Sequence, residues 1–442
     1  MPERRHAVVI GASIAGLLIA KVLSGHYKQV TIIEKDSLPE TPENRKGVPQ
    51  DRHTHVLLER GRKVMEKYLP GLTDELIGMG AVRINDVSSE AAWFHSGGFH
   101  KRGICGLTGL GVSRPTLENS VRTRIFSIPN VEVIQNSSVT GLAFTENNKR
   151  VNGVYCKNIS DNKPDVMIQS DFVADVSGRG SHTPSWLSQA GYDQPEIEEI
   201  IIRMGYVTCY YPRKPEHLPG INAVIFLADP PSKRMGIMLA QEVNRWVVTI
   251  GGYLGNHAPT DYQGFLEAVK HLPSPDIYNI VKDEVYLTQP VRYNFHANLR
   301  HYYERLNDFP EGFIVAGDAV CSFNPIYGQG MTVAAMEAEA LDRCLYLNHL
   351  PFAENFFKDM GKIVDISWKT AVGGDLNYPE IKGDRTIMTR LLNWYIRKLH
   401  KAARYDADVS IAFLKVINMV SSPPAILTPR IVWRIMKNNI KY

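Results

Sequence analysis

A short apolar run, a glycine turn and a second apolar run ending in an acid open the chain, and together they fix how its fold begins. HAVVI reads as a buried strand, GASIAG as a turn, LLIAKVL as a helix and QVTIIEKD as a second strand, a βαβ unit of about thirty residues. Gly11, Ser13 and Gly16 form G-x-S-x-x-G. Gly11 permits the tight turn and Gly16 lets the helix pack on the strand, while the free N–H groups from Ile14 and Ala15 onward suit a pyrophosphate. Ser13 stands where a glycine usually lets the backbone approach the phosphates; it is small and its hydroxyl is a further donor. Glu34, followed by Lys35, comes twenty-three residues after Gly11 at the end of the second strand. A carboxylate there accepts both hydroxyls of an adenosine ribose and disfavours a phosphorylated one.

A chain of 442 residues exceeds one simple core, so two or three units are expected. Five scattered cysteines, Cys105, Cys156, Cys209, Cys321 and Cys344, form no CxxC pair, which argues against a disulfide framework or zinc site and for a reducing, cytoplasmic compartment. MPERRHAVVIGASIAG has the pattern of strand, turn and helix rather than of a signal peptide. No run reaches the ~18 uncharged apolar residues of a membrane span, and no motif points to nucleic acid. Charge is uneven: residues 382 to 442 hold twelve Lys and Arg against three Asp and Glu, and the rest of the chain thirty-eight against forty-three. In this tail Ile387, Met388, Leu391, Leu392, Tyr395, Ile396 and Leu399 recur at helical spacing, with Arg390, Arg397, Lys401 and Arg404 on another face. A basic amphipathic helix of this kind is a candidate for peripheral contact with an anionic membrane.

The polar stretch ETPENRKGVPQDRHTH is expected to be a long loop. Residues 198 to 255 contain four β-branched or aromatic runs, IIIRMGYVTCYYP, AVIFLADPP, MGIMLAQEV and RWVVTIGGYLG, which predict a mostly antiparallel sheet. Met204, Tyr206, Phe226 and Met238, with Tyr210, Tyr211, Met235 and Trp246 beside them in sequence, are candidate pocket residues on it. GFIVAGDAV returns to the buried-strand pattern, and GQGMTVAAMEAEALDRCLYL is a helix of high propensity. Between them Gly317 and Asp318 follow the strand, Pro325 stiffens the loop, and Gly328, Gln329, Gly330, Met331 and Thr332 lead into the helix. A helix N-terminus there suits the negative charge that a reduced flavin carries near N1 and its C2 carbonyl.

Through GASIAGL and Glu34, VSRPTLENSVRTRI, DFVADVSGRGS and GDAVCSFNPIYGQGMTVAA, nearly the whole chain resembles the FAD-dependent group A flavoprotein monooxygenases, the aromatic hydroxylases and epoxidases with a single Rossmann domain. The resemblance implies that Asp318 binds the ribityl chain, that the loop after it contacts pyrophosphate and ring, and that Arg114 touches FAD. It brings Arg45 and the loop holding His53 and His55 towards the flavin, which makes these histidines candidate bases, and it places Gly178 in the short DG motif that helps bind FAD and NAD(P)H. Ser177 departs from the aspartate of that motif, and Cys321 from a common histidine. GMTVA, with Thr332 where phenol hydroxylases tend to have Asn, looks more like the squalene-epoxidase branch and the bacterial polyene epoxidases.

The expected fold is α/β: a Rossmann-type FAD-binding domain (1–85, 105–190 and 290–350), an inserted, mostly antiparallel substrate domain (86–104 and 191–289) and a helical C-terminal region (351–442). The expected activity is transfer of one oxygen atom from O2, activated at the flavin C4a, to a hydrophobic secondary metabolite by hydroxylation or epoxidation. NADH, NADPH or a partner reductase supplies the electrons. A flavin-dependent reductase of prenyl chains is the alternative. A halogenase ranks below it because WxWxIP is absent from the sequence, and a non-enzymatic, membrane-docked flavin module ranks lowest.

Overall fold

Ala7, Val8, Val9, Val30 and Ile32 have no exposed surface, and strands covered on both faces belong in a parallel sheet connected through helices. The computed structural model describes residues 4–159, 164–230, 232–347 and 350–441. In it His6–Ile10 pairs in parallel with Gln29–Ile33 on one side and Phe172–Asp175 on the other, while Val131–Ile134 and Phe313–Val315 form the edges of a five-stranded sheet. The late strand Phe313–Val315 lies two positions from the first, with Phe172–Asp175 between them, and Gly317 arrives beside the start of the Ile14–Ser24 helix. An ideal Cβ on Gly317 would stand 3.1 Å from the Ala15 Cβ. Two segments about three hundred residues apart in sequence thus meet at the carboxyl ends of one sheet's strands.

A second sheet has eight strands in the order Cys321–Ser322, Val291–His301, Ile197–Pro212, Arg245–Gly252, Arg234–Gln241, Ala223–Phe226, Ala91–His95 and Gly98–Phe99. All its pairings are antiparallel except that of Ala223–Phe226 with Ala91–His95. Val291–His301 runs along Ile197–Pro212 in this sheet, although the sequence-based division gave residues 290–350 to the cofactor domain. Its partner strand is sixteen residues long and bulged between Ile201 and Met204, long enough to hold Val291–Thr208 and His301–Ile197 pairs at once.

The large sheet is covered on both faces, and its strands alternate between them. Val207, Cys209, Tyr211, Val224, Phe226, Met238, Trp246 and Val248 pack with Phe265 and Ile277 from the helices Tyr262–Lys270 and Asp276–Val281. Met204, Tyr206, Ile225, Met235, Ile237 and Val247 belong to the core shared with the cofactor domain. In the tail, where the sequence shows one amphipathic helix, the structure has three, Ile387–Ala403, Ala407–Ile417 and Pro429–Lys441. They build a small core from Leu399, Ala402, Val409, Leu414 and Ile435, which also takes in Cys105 and Leu107. Among the described residues no helix is long and apolar enough to cross a membrane.

Candidate functional site

The turn after the first strand needs its glycines. Gly11 has φ +106° and a Cβ there would stand 2.8 Å from the Val176 carbonyl oxygen, while a Cβ on Gly16 would stand 1.9 Å from that of Gly11. Ser13 is the N-cap of the following helix, yet its hydroxyl makes no capping bond, which leaves the first N–H groups, from Ile14 and Ala15, open to an outside acceptor. That hydroxyl instead accepts from Arg114 Nη2 at 2.8 Å and faces Glu118 Oε2 at 3.4 Å. Glu34 is buried and accepts the Ala12 N–H at 2.7 Å and the Asp36 N–H at 3.0 Å. Lys35 beside it points to solvent.

Two buried arginines complete this end. Arg45 reaches Glu118 at 2.8 Å, Glu34 at 3.3 Å and Asp36 at 3.5 Å, and Arg114 reaches Glu118 at 2.8 Å. Burial alone would raise the Glu118 pKa, but Arg114, Arg45 and Arg122 outweigh it and hold the carboxylate below its usual range. Glu118 is a member of the site that the sequence analysis missed. Its only signal there is the four-residue spacing from Arg114, which puts both on one helix face.

The second segment lines the same cleft. Asp318 has an exposed side chain, yet enough protein surrounds it that desolvation raises its pKa against the pull of Arg114 and Arg179. His55 is likewise half-buried at the surface and strongly desolvated. Both groups thus keep contact with solvent although protein surrounds them, as in a recess of the surface. Gly178, Gly328 and Gly317 have positive φ, and no protein atom stands within 4 Å of an ideal Cβ on Gly178 or Gly330. Pro325 and Gly330 are exposed and Met331 is buried, while Gln329 Oε1 and Thr332 Oγ1 are buried without a partner. Gly317 N–H donates to Glu337 Oε2 at 2.7 Å, and burial pushes the Glu337 pKa up to about 8.

The loop before that helix is pinned from behind. Asn324 donates to Tyr253 at 2.8 Å and to Asp375 at 2.9 Å, Asn298 donates to Asp375 at 2.7 Å, and the Tyr253 hydroxyl donates to Asp375 at 2.8 Å. Asp375 has no exposed surface, and burial raises its pKa to about 6 although these donors oppose the rise. The large sheet, the Asn324–Gly328 loop and the Phe352–Asp375 helix therefore meet at one carboxylate. Neither Asp375 nor Glu337 carries a sequence signal.

The residues present fit FAD. Uncapped N–H groups, a ribose-binding carboxylate position and two arginines lie at one end, and a cleft-facing aspartate with open glycines lies at the other. Glu34 would hold the adenosine ribose, the uncapped N–H groups the pyrophosphate, and Asp318 the ribityl chain.

Where this cleft meets the large sheet, His53 is buried with Nδ1 2.8 Å from Thr208 Oγ1 and its ring edge-on to Tyr206, centroids 4.8 Å apart. Tyr293 is 5.8 Å from the His53 ring and feels the charge of Asp318. Thr208 continues to Thr249 at 2.6 Å and Thr249 to Thr54 at 2.7 Å. His53 Nε2 is buried and has no partner among the described residues. Burial and Arg52 lower the His53 pKa to about 4, and burial and Arg114 lower that of His55 to about 3. Both rings are held neutral near pH 7 by this burial.

Of the candidate pocket residues, Met204 and Tyr206 lie on the face that His53 meets. Phe226 and Met238, with Tyr211 and Trp246, lie on the opposite face against Phe265 and its neighbours. This corrects the sequence expectation for those positions: strand side chains alternate, and both faces here are apolar.

No protein-family model matches the chain. Protein Rv3254 of Mycobacterium tuberculosis (strain ATCC 25618 / H37Rv) is 35% identical over 348 residues, 77% of this chain and 73% of that protein. Among solved structures, a flavoprotein/dehydrogenase from Cytophaga hutchinsonii aligns with TM-score 0.69 at 16% identity, covering 99% of this chain and 98% of that one. The p-nitrophenol 4-monooxygenase PnpA of Pseudomonas putida DLL-E4 aligns at 0.67 and 15%, covering 95% and 99%. The flavin-dependent brominase Bmp2 aligns at 0.66 and 15%, covering 99% and 100%. At such identities these structures speak for the fold. The chain thus belongs to one family with Protein Rv3254, and its architecture is the group A flavoprotein fold shared by FAD-dependent monooxygenases and halogenases.

Proposed function

We propose that the protein is an FAD-dependent monooxygenase that transfers one oxygen atom from O2 to a hydrophobic small molecule, with NADH, NADPH or a partner reductase as electron donor. The observation that carries this reading is the buried, unpartnered His53 Nε2 between Tyr206 and Tyr293, at the junction of a dinucleotide cradle and an aromatic wall. A buried polar atom without a partner in the folded chain calls for one from outside it. FAD, when bound, supplies the redox chemistry and the activation of O2.

The chain's residues supply the rest. Gly11, Ser13, Glu34, Arg45, Arg114 and Asp318 bind and orient the cofactor. Met204, Tyr206 and Tyr293 exclude water and favour an apolar substrate. Neutral His53 donates or accepts one hydrogen bond through Nε2, Nδ1 being engaged by Thr208, and so aligns a substrate oxygen without removing a proton. Epoxidation, which needs no base, suits this site better than hydroxylation of a phenolate, in keeping with Thr332 in GMTVA.

Reconstitution with FAD under labelled O2, with NAD(P)H and candidate polyenes or arenes, tests the proposal by mass spectrometry. One labelled oxygen in the product supports it. A product that gains two hydrogens, or one that takes up bromide when it is present, replaces it with the reductase or halogenase reading; a chain that binds no FAD ends it.

A further inference from the structure

One helix face in the tail is half covered. On the Ile387–Ala403 helix, Tyr395, Leu399 and Ala402 are buried in the small tail core. Met388, Leu391 and Leu392 lie on the same stripe one or two turns earlier, since seven and eleven residues bring a helix back to nearly the same side. There the stripe is bare: Ile387 is 87% exposed, Met388 70% and Leu391 55%. Trp394 stands at its border, 41% exposed.

Alongside the bare stripe, Trp394, Arg397, Lys398, Lys401 and Arg404 line a concave pocket closed by Ser96. Arg397 bonds the Asn377 side chain at 3.2 Å and Arg404 the Ser96 carbonyl at 3.1 Å. Elsewhere in the tail Arg430 pairs with Asp408, and Arg434 with Asp406 and Asp408. Among the described residues no carboxylate pairs with Arg390, Arg397, Lys398, Lys401 or Arg404.

We infer that this face docks on the surface of a bilayer rich in anionic phospholipid. An uncovered apolar stripe flanked by unpaired cations meets complementary chemistry there on both counts. Acyl chains take the apolar residues, headgroup phosphates take the cations, and an indole favours the boundary between them. A second copy packed symmetrically through the same face would instead set this cationic pocket against its own image.

Co-sedimentation of the full chain with vesicles of equal parts phosphatidylglycerol and phosphatidylcholine tests the inference, with pure phosphatidylcholine vesicles and inorganic phosphate in parallel. The wild type is expected to pellet with the anionic vesicles and to be released by salt. Lys398→Glu combined with Lys401→Glu is expected to weaken partition at least roughly thirty-fold, several-fold per cation lost before the added repulsion of the two carboxylates, and Leu391→Asp to weaken it as well, with melting temperatures unchanged. Equal partition of wild type and both variants, equal binding to the neutral vesicles, or phosphate binding without vesicle binding would each overturn it. So would a dimer in sedimentation velocity that Leu391→Asp dissociates while no vesicles are bound. None of these readouts uses the flavin reaction, so they stand or fall apart from the proposed oxygenation.

Discussion

Around the start of the Ile14–Ser24 helix, Arg45 and Arg114 are buried and each touches a carboxylate; on the Ile387–Ala403 helix, Lys398 and Lys401 pair with no carboxylate among the described residues. The two clusters carry charge for different ends. In the cradle the charges were withdrawn from water when the chain folded, and each now depends on the others to offset that cost. On the tail helix Lys398 and Lys401 are only half-buried and keep contact with water, so folding withdraws much less from them. Changes to the cradle should therefore be felt by the whole fold, and changes to the tail surface only by what touches it from outside.

The sharpest way to break this contrast is Glu118→Ala. It leaves Arg45 and Arg114 in place with their shared carboxylate gone, and removal of one member of a buried ionic network costs about 3–5 kcal/mol. Urea unfolding should show a loss of that size, and FAD titration should show the cradle no longer closing. A loss below about 1 kcal/mol would mean that water already screens the network, so that the cradle is no different from the tail.

The next effect sharpens the comparison through pH. Glu337 has its pKa pushed up to about 8 by burial against an ordinary value of 4.5, so between those values the folded chain holds a proton that the unfolded chain has released. Stability then falls as pH rises from about 4.5 to about 8. Glu337→Gln, which keeps the acceptor for the Gly317 N–H, should flatten that fall by up to several kcal/mol at pH 8. Asp375, raised to about 6, should leave a smaller decline at lower pH. Denaturant midpoints of both proteins across this range decide the matter, and parallel curves would remove the buried proton from the account.

The tail carries the opposite sign. His400 stacks on His95 with centroids 3.8 Å apart, and its Nδ1 is 3.1 Å from His100 Nε2. Burial lowers all three pKa values, that of His100 to about 3, although Asp229 draws the His95 value upward. A histidine buried neutral stabilises the fold above its free pKa of about 6.5 and withdraws that support as pH falls towards its folded value. At pH 5 the cost should be on the order of 2 kcal/mol. Protection of residues 387 to 403 against hydrogen exchange, taken relative to the intrinsic amide rate at each pH, should therefore fall on acidification while that of residues 14 to 24 does not; equal protection at pH 5 and pH 7 would refute it.

The cradle was legible wherever its parts are neighbours in sequence. Gly11, Gly16 and Glu34 belong to one βαβ unit, and spacing along such a unit is spacing in space. Asp375 and Glu337 were not legible, because each owes its role to partners on other elements: Asn298, Tyr253 and Asn324 for one, the Gly317 N–H for the other. Phe226 and Met238 misled for another reason. With apolar cover on both faces the strand runs are hydrophobic throughout, and the pattern no longer says which side faces the cleft. His53 was visible as a histidine in a polar loop beside Arg52, but its neutrality depends chiefly on burial, which the fold alone brings through neighbours such as Tyr206 and Tyr293. The tail's charge was plain from composition, whereas its bare apolar stripe depends on where the neighbouring helices stop.

The smallest expected effect tests the other side of the contrast. Lys398 and Lys401 are half-exposed and pair with no carboxylate among the described residues, so Lys398→Glu with Lys401→Glu strands no buried partner and removes some repulsion among neighbouring cations. Surface substitutions of this kind stay within about 0.5 kcal/mol, and the urea midpoint of the double variant should match the wild type. A loss above about 1 kcal/mol would show that these cations hold the tail to the body, as Arg404 does through the Ser96 carbonyl. The basic pocket would then be part of the internal structure like the cradle, and no longer a surface kept for something outside the chain.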